Sequence, residues 1–162
     1  MQRIAEFQLV SRAQFDAAWD FPAANPYDEL MLPRRATSGS AGYDIYSPLE
    51  FDLAPGEIIK LPTGLRARIE PGWVLLLLPR SGQGFKYRLQ LYNTVGVIDS
   101  DYYGADNEGH IFVKLINANR ESKTLHVKKG EAFAQGLFLP FGITVNDEAD
   151  GVRTGGFGST SK

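Results

Sequence analysis

Apolar and polar residues alternate along much of this chain, and alternation with a period of two is typical of a half-buried β-strand. The first such stretch is AEFQL, at residues 5–9. From Tyr43 onward, further stretches show an alternating or fully apolar strand pattern, namely LRARI (65–69), WVLLLL (73–78), IFVKLIN (111–117) and FAQGLFLP (133–140). WVLLLL has the pattern of a strand buried on both faces. The pattern therefore predicts a fold made mainly of short strands.

Between the first strand and Tyr43 the pattern predicts one short helix. Ser11 followed three residues later by Gln14 is a capping box, an arrangement that opens many helices. Phe15 and Trp19 are four residues apart and so lie on one face of this helix. The prolines of the following FPAANP end the helix, because proline cannot continue it.

Three similar turns separate the later strands: APGE (54–57), EPGW (70–73) and KKGE (128–131). In each turn glycine stands third, which is the position of a type II turn that requires a positive φ. Short strands joined by such turns are typical of antiparallel sandwiches and barrels. We therefore expect an all-β antiparallel fold with one short N-terminal helix.

The composition is that of an ordinary globular protein. The chain has 162 residues, enough for one domain with a real core, and 43% of them are hydrophobic. Its formal net charge of −2 argues against a nucleic-acid partner, because long nucleic acids attract strongly basic surfaces. The longest apolar run, Trp73–Leu78, is too short to span a bilayer. With no cysteine and no apolar signal core, the sequence predicts a cytoplasmic protein without a membrane partner.

Two carboxylates follow an apolar run in VGVIDSDYYG, residues 95–104. If the strand continues, Asp99 and Asp101 lie on the same side of it, unless a turn intervenes. A carboxylate here could be a base that activates water, with Tyr102 as a wall of the pocket. The two aspartates could equally bond backbone amides in a hairpin. These residues alone leave both interpretations open.

An arginine, a hydroxyl and two glycines follow the apolar strand in PRSGQGFK, residues 79–86. Glycines let backbone N–H groups approach a phosphate, and the guanidinium of Arg80 offers several donors in a fixed fork. The stretch could therefore form an anion cradle, and the alternative is an ordinary glycine turn. Its spacing is not that of a Walker loop.

The remaining candidates are single polar residues and the end of the chain. Asp44 in SAGYDIYS could orient water around a metal or cap a turn, and Gln135 needs a partner inside its strand. His110 and His126 lack metal-ligand spacing, and we expect both to be surface or packing residues. The glycine-rich end, RTGGFGSTSK (153–162), is either a frayed terminus or a lid.

Taken in order, five stretches resemble the five motifs of the trimeric deoxyuridine triphosphate nucleotidohydrolases, the dUTPases. SAGYDIYS resembles the first motif, PRSGQG the second and NTVGVIDSDYYG the third. GEAFAQ resembles the fourth motif, and RTGGFGSTS resembles the fifth. The resemblance extends from about residue 27 to the end of the chain, and its third motif is very specific.

The resemblance implies an antiparallel, jelly-roll-like β-barrel that assembles as a homotrimer with shared active sites. Residues 1–152 would form a single β-barrel domain, with residues 1–26 as an N-terminal strand and helix outside the common core. Residues 153–162 would be a flexible C-terminal arm that closes over the active site of a neighbouring subunit.

The implied reaction is hydrolysis of dUTP to dUMP and pyrophosphate, which limits uracil incorporation into DNA and supplies dUMP for thymidylate synthesis. By resemblance, Asp99 is the general base. Asp44 acts through water on a Mg²⁺ ion that the substrate phosphates hold, so that the metal has no direct protein ligand. Substrate contacts are expected from Arg80, Ser81, Gly82, Asn93, Gly96, Val97, Ile98, Tyr102, Gln135, Arg153, Phe157, Gly158, Ser159 and Thr160.

Several of these residues have a specific role in the resemblance. Asn93 and the backbone of residues 96–98 would pair with the uracil edge and leave no room for a 5-methyl group. Tyr102 would lie under the sugar and exclude a 2′-hydroxyl. Phe157 would stack on the base, and Arg153 would bind the terminal phosphate.

The chain also departs from the family pattern. ADNEGH (105–110) is longer than the usual link into the next strand and resembles Gram-positive bacterial and phage forms. Ala132 stands where an arginine is common, and Arg153 is four residues before Phe157, one fewer than in many relatives. Two alternatives stay open: a regulatory protein partner bound through residues 105–110 or the N-terminal extension, and, less favoured, a dCTP deaminase of the same fold.

Overall fold

Strands make up most of the regular structure in the computed structural model, which describes residues 1–155. The strands are β1 (Ala5–Leu9), β2 (Tyr43–Tyr46), β3 (Phe51–Leu53), β4 (Ile58–Pro62), β5 (Leu65–Ile69), β6 (Trp73–Pro79), β7 (Leu89–Leu91), β8 (Gly96–Ile98), β9 (Phe112–Asn117), β10 (Leu125–Val127) and β11 (Ala132–Pro140). The α-helices are α1 (Arg12–Ala18) and α2 (Ser81–Tyr87), and two 3-10 helices span Tyr27–Glu29 and Ser100–Gly104.

The strands pair antiparallel and form four small sheets. Their orders are β1-β5, β10-β3, β2-β11-β6-β8 and β4-β9-β7. The predicted all-β, jelly-roll-like class is confirmed, although the described strands do not close into one continuous barrel ladder. The four-stranded sheet carries residues of the first four motifs and so positions the candidate site.

Strand β5 shows how the alternating pattern builds the core. Leu65, Ala67 and Ile69 are buried, whereas Arg66 and Arg68 point away from the core. Burying an aliphatic side chain of this kind stabilises a fold by about 1.5–3 kcal/mol. Strand β6 differs from the expectation of burial on both faces: Leu75 and Leu77 are buried, but the residues between and after them are half-buried.

The predicted N-terminal strand and helix are present. The Ser11 hydroxyl accepts a hydrogen bond from the backbone N–H of Gln14 at 3.1 Å and so caps α1. Phe15 is fully buried, and its ring centroid lies 5.5 Å from that of Trp19. The third residues of the three predicted turns, Gly56, Gly72 and Gly130, all have a positive φ, of 83°, 83° and 77°.

Candidate active site

One group of predicted residues meets where β6 ends. Strand β11 runs between β2 and β6, so that Gln135 lies opposite Asp44 on one side and Leu78 on the other. Arg80 directly follows β6, and its Nε lies 3.1 Å from Oδ1 of Asp44. The Gln135 amide donates a hydrogen bond to the Pro79 carbonyl at 3.0 Å. Residues of the first, second and fourth motifs therefore lie together at one end of the sheet.

Gly42 allows Gln135 to take up this position. A Cβ atom on Gly42 would lie 2.4 Å from Oε1 of Gln135 and 3.4 Å from its Cδ. The first of these distances is shorter than real carbon contacts, so any larger residue at position 42 would displace the amide. The glycine of the first motif is thus needed for the geometry of the fourth.

The second motif forms helix α2, which differs from both the cradle loop and the glycine turn considered from the sequence. Arg80 is the N-cap in an extended conformation, and its carbonyl accepts a hydrogen bond from the N–H of Gly84 at 2.9 Å. The first N–H groups of a helix have no acceptor within it. Backbone donors are therefore supplied by the start of α2.

A cleft of about 600 Å³ lies beside this group. Its walls include every residue predicted from the first, second and fourth motifs, namely Asp44, Arg80, Ser81, Gly82 and Gln135. Gln83, Lys86 and His126 also line the cleft and were not predicted as site residues. Lys86 is four residues after Gly82, so a helical interpretation of this stretch would have placed both on one face.

The third motif begins on β8, which is an edge strand. β8 pairs with β6 on one side, and no described strand pairs with its other side. Val97 is 58% exposed, whereas Gly96 and Ile98 are buried. A Cβ atom on Gly96 would lie 2.9 Å from the Cβ of Leu77, so glycine allows β8 to approach β6. Asn93 is exposed in the connection just before β8.

A turn follows β8, and Arg153 bridges the two aspartates at this turn. Asp99 is the residue before the 3-10 helix, and its side chain makes no capping bond to that helix. Nη2 of Arg153 lies 2.5 Å from Oδ2 of Asp99, and its Nε lies 2.8 Å from Oδ1 of Asp101. Both carboxylates are about half exposed, at 48% and 54%, whereas the arginine side chain is 18% exposed. These contacts lie within one chain.

Tyr102, considered as a wall of the pocket, is largely a core residue. It is 5% exposed, and its hydroxyl donates to the His110 carbonyl at 2.7 Å and accepts from Nδ2 of Asn107 at 2.8 Å. Burial raises the pKa of Tyr102, while the Asn107 hydrogen bond and the charge of Arg153 act in the opposite direction. Because the hydroxyl is engaged inside the protein, only the ring is left to contact a ligand.

The two histidines are packing and surface residues, as predicted. His110 is fully buried, with its ring centroid 6.1 Å from that of Phe15 and 4.4 Å from that of Phe112. Its Nε2 accepts a hydrogen bond from the N–H of Gly64 at 3.0 Å. Burial lowers the pKa of His110 to about 4. His126 is exposed and pairs with a β3 aspartate at 2.5 Å.

The two groups of predicted residues lie at opposite ends of β6. Ile98 pairs with Leu75, so that Asp99 lies beside Val74, near the start of β6. Arg80 lies beyond the other end of that strand, six positions after Val74. At about 3.3 Å per strand residue the separation is about 20 Å. One chain therefore does not bring Asp99 and the cleft together.

Other predicted features lie partly or wholly outside these two groups. Phe157, Gly158, Ser159 and Thr160 are beyond the described residues. Residues 105–110, expected as a partner surface, are partly covered by the chain itself, because the Glu108 carboxylate accepts two hydrogen bonds from Ser11. Among residues 1–155, no three acidic or histidine side chains cluster as a metal site requires. No helix in this part of the chain is long and apolar enough to cross a membrane.

Comparison with known sequences gives one consistent result. A sequence profile described as dUTPase matches residues 28–161. The deoxyuridine 5′-triphosphate nucleotidohydrolase of Lactococcus lactis is 47% identical over 134 residues, which cover 81% of this chain and 88% of that protein. The enzyme of the same name from Escherichia coli is 38% identical over 142 residues, covering 83% of this chain and 89% of that protein.

Solved structures agree with the sequence relatives. The crystal structure of a dUTPase from Streptococcus mutans has a TM-score of 0.64 and 37% identity, and the match covers 85% of this chain and 97% of that one. A variant dUTPase from phage phi11 of S. aureus, which coordinates a structural Mg(II) ion, has a TM-score of 0.65 and 20% identity. That match covers 92% of this chain and 98% of the phage chain, and at this identity it supports the fold alone.

Proposed function

We propose, since the chain belongs to the dUTPase family and hydrolyses dUTP to dUMP and pyrophosphate, that Asp99 is the general base of the reaction. A general base must reach the water that attacks phosphorus, and the Asp99 carboxylate is half exposed at the end of β8. The observation that carries the proposal is the 2.5 Å contact between Asp99 and Arg153. The base is thus adjacent to the arginine that we assign to the terminal phosphate.

We assign the substrate phosphates to the cleft at the other end of β6. Arg80, Ser81 and Gly82 would donate hydrogen bonds to phosphate oxygens from a guanidinium, a hydroxyl and the start of α2. Gln135 adds an amide whose position is fixed by its bond to the Pro79 carbonyl. Donors held in advance stabilise the charge that develops during phosphate transfer, and this is commonly a large part of catalysis.

We further propose that each complete active site is formed between subunits of a homotrimer. The separation of about 20 Å between Asp99 and Arg80 supports this, because one phosphate chain must contact both groups. The half-buried face of β6 and the exposed apolar side chains Val97 and Phe141 are consistent with subunit contacts on this sheet.

Mixed trimers test the sharing of sites. Asp99→Asn and Arg80→Ala chains should each be nearly inactive alone. Co-expressed and purified as mixed trimers, they should regain part of the wild-type turnover, because some sites would combine an intact Asp99 with an intact Arg80. If every mixture stays as inactive as its parents, although mixed trimers are detected by mass, then each site is built from one chain.

The edge of β8 is our candidate for uracil recognition. Its backbone between Gly96 and Ile98 has no strand partner on one side within the described residues, so its N–H and C=O groups can pair with a planar base. Asn93 is exposed just before this edge and offers an amide. A bound base would bury these hydrogen-bonding groups, and a mismatched base would leave some of them unpaired at a high cost in free energy. Groups arranged to pair with uracil would therefore disfavour cytosine. The Tyr102 ring would contact the sugar and exclude a 2′-hydroxyl.

The C-terminal arm would complete the site. Phe157 would stack on the uracil, residues 158–160 would contact the phosphates, and Arg153 would bind the terminal phosphate. Closing an arm over the substrate excludes water from a charged reaction centre. The substrate phosphates would have to draw Arg153 away from Asp99 and Asp101, and this step would free the base.

The residues of the cleft fit a Mg²⁺ ion held mainly by the substrate. Mg²⁺ prefers oxygen ligands, keeps several waters and is commonly bound through substrate phosphates. The lining of the cleft has two carboxylates, Asp44 and Glu131. Asp44 lies 3.1 Å from Arg80, and this contact holds it at the cleft wall. It is therefore suited to bind a metal-bound water. When bound, the ion would neutralise phosphate charge.

A pyrophosphate-release assay with an Asp99→Asn variant tests the assignment of the base. The substitution removes the charge and keeps the shape, so turnover should fall by about 10²–10⁴-fold while binding of a nonhydrolysable dUTP analogue is retained. Asp106→Asn is a matched control, because it makes the same change at an exposed position seven residues later. Full turnover by Asp99→Asn would rule out Asp99 as the base.

The same assay tests the substrate and the metal. Pyrophosphate should be released from dUTP in preference to dTTP, dCTP and UTP, and chelation of Mg²⁺ should slow the reaction. Ammonia release from dCTP would instead indicate the deaminase chemistry of the alternative. Equal rates on dUTP and UTP would contradict the role of Tyr102 at the sugar.

A further inference from the structure

The N-terminal segment, defined here as residues 5–18, lies before the region that matches the dUTPase family profile. The proposed function gives it no role. Strand β1 of this segment pairs with β5 from Ala5↔Ile69 to Leu9↔Leu65. Phe15 of α1 is fully buried. The segment is therefore firmly attached to the core and is not a loose extension.

Gly64 shows how closely α1 fits. A Cβ atom on Gly64 would lie 3.2 Å from Cδ2 of Phe15 and 2.4 Å from Cδ1 of Leu30, and the φ of Gly64 is +72°. The carbonyl of Gly64 also accepts a hydrogen bond from the N–H of Val10 at 2.9 Å, at the junction between β1 and α1. The position of α1 relative to the core is therefore fixed.

The N-terminal segment contacts the insert (residues 105–110) through Glu108. The carboxylate of Glu108 accepts hydrogen bonds from the backbone N–H of Ser11 at 2.7 Å and from its hydroxyl at 2.6 Å. Arg66 of β5 lies 4.0 Å from the same carboxylate. Hydrogen bonds to a charged acceptor are stronger than neutral ones. A residue of the insert is thus held directly by the residue that caps α1.

The N-terminal segment also contacts the catalytic loop, defined here as residues 99–104. The hydroxyl of Tyr103 donates to Oε1 of Gln8 at 2.7 Å. The guanidinium of Arg66 lies 3.6 Å from the centre of the Tyr103 ring and donates to the Tyr103 carbonyl at 3.2 Å. Side chain and backbone of Tyr103 are therefore both fixed from this side.

The insert supports the same loop from a second side. The hydroxyl of Tyr102 is bonded to the His110 carbonyl and to the Asn107 amide. A Cβ atom on Gly109 would lie 2.6 Å from the carbonyl oxygen of Tyr102 and 2.8 Å from the Cα of Tyr103. Within the loop, the N–H of Tyr102 donates a hydrogen bond to the Asp99 carbonyl at 3.2 Å. This bond connects the supported residues to Asp99.

We propose that the N-terminal segment positions the general base, acting on Asp99 through Glu108 in the insert and Tyr103 in the catalytic loop. The proposal rests on the role of Asp99 proposed above. Glu108 and Tyr103 are positioning residues, since neither belongs to the groups assigned to substrate. A misplacement of about 1 Å at a reacting group can cost about 10²-fold in rate, so small shifts of this loop matter.

The kinetic signature follows from the layout of the site. The backbone groups assigned to uracil lie on β8, and the phosphate groups of the second and fourth motifs lie at the far end of β6. Loosening the catalytic loop should leave both in place. The expected effect is therefore a lower kcat with an almost unchanged KM for dUTP, which is the pattern of an interaction lost in the transition state.

The test compares Glu108→Ala, Glu108→Gln and Tyr103→Phe with the wild-type protein. Glu108→Gln keeps one acceptor for Ser11, and Tyr103→Phe removes only the hydroxyl that reaches Gln8. Asp16→Ala is the matched control, because Asp16 lies exposed in the same segment and accepts its hydrogen bond from the Asn25 amide, at 2.8 Å. For each protein kcat and KM are measured at 25 °C, together with Tm and hydrogen exchange of residues 99–104.

Glu108→Ala should lower kcat by about tenfold or more with KM changed less than about twofold, and Glu108→Gln should recover part of that loss. Tyr103→Phe should lower kcat in the same direction, and Asp16→Ala should match the wild type. Wild-type kcat in both Glu108→Ala and Tyr103→Phe would overturn the proposal, even if Tm falls. If Glu108→Ala does not fold, Tyr103→Phe decides the question.

Failure of the proposed function would be recognised separately. An Asp99→Asn variant that turns over at full rate would show that the base was assigned wrongly, whatever the Glu108 variants do. An inactive Asp99→Asn variant together with fully active Glu108 and Tyr103 variants would overturn only the positioning role.

Discussion

Buried His110 should make the stability of this fold depend on pH in weakly acidic solution. Its Nε2 accepts the N–H of Gly64, so the ring is neutral and carries its proton on Nδ1. Nδ1 is buried and has no hydrogen-bond partner among the described residues. A second ring proton would be on Nε2 and would point at the N–H of Gly64, so the protonated ring would lose this hydrogen bond. Burial therefore lowers the pKa of His110 from 6.5 to about 4; Glu108 acts against this shift, and Lys60 adds to it.

The size of the effect follows from the difference between the two pKa values. Below pH 6.5 the unfolded chain binds a proton at His110 that the folded chain does not bind, so the folded state loses stability as the pH falls. Each pH unit costs about 1.4 kcal/mol, and the interval from 6.5 down to about 4 costs about 3 kcal/mol in total. Above pH 6.5 this contribution of His110 to stability is fully present.

Urea denaturation followed by tryptophan fluorescence measures this loss. The free energy of unfolding is determined between about pH 7.5 and pH 4 at one fixed protein concentration, because the stability of an oligomer depends on concentration. His110→Gln is the matched variant, since its amide oxygen can accept the N–H of Gly64 but does not titrate. Carboxylates titrate in both proteins and cancel in the comparison.

As the pH falls from 6.5 to about 4, the unfolding free energy of the wild type should decrease by about 3 kcal/mol relative to that of His110→Gln. The variant is expected to be the less stable protein at neutral pH, because it packs less well against Phe15 and Phe112. A difference that stays constant over the whole pH range would refute the assignment of a neutral, proton-resistant histidine.

Two further changes test the site. Gly42→Ala should displace the Gln135 amide, because its Cβ atom would lie only 2.4 Å from Oε1 of Gln135. The variant should have a kcat/KM for dUTP about tenfold lower, with little change in Tm. Wild-type kinetics would show that the amide is not needed. Removing residues 153–162 should lower turnover about 10²-fold without loss of strand signal in circular dichroism, because no described strand extends beyond Pro140. Full turnover by the truncated protein would exclude a role for the arm.

Local patterns predicted much of the fold. The alternation in LRARI gave the buried and exposed sides of β5, and the Ser11 cap of α1 is as expected. The turn glycines were predictable for the same reason, because a positive φ is a local property that one residue type strongly favours. Signals of this kind act within a few residues, so sequence alone reveals them.

Other features could not be predicted, because they depend on tertiary contacts or contradict local propensity. Helix α2 contains Gly82 and Gly84, and glycine disfavours helix interiors by about 1 kcal/mol relative to alanine. The burial of Tyr102 depends on the carbonyl of His110, which lies in a separate segment. Ser11 and Glu108 are 97 residues apart, and no local pattern in either segment indicates their contact.

The tight fit of Gly109 has a practical consequence for anyone altering this protein. Surface connections usually accept grafted peptides, labels and changes of length. The connection from Ala105 to His110 is unsuitable for such changes, because a Cβ atom at Gly109 would already collide with the backbone of Tyr102 and Tyr103. A reporter or affinity tag is better accommodated at residues 120–122, in the exposed connection between β9 and β10.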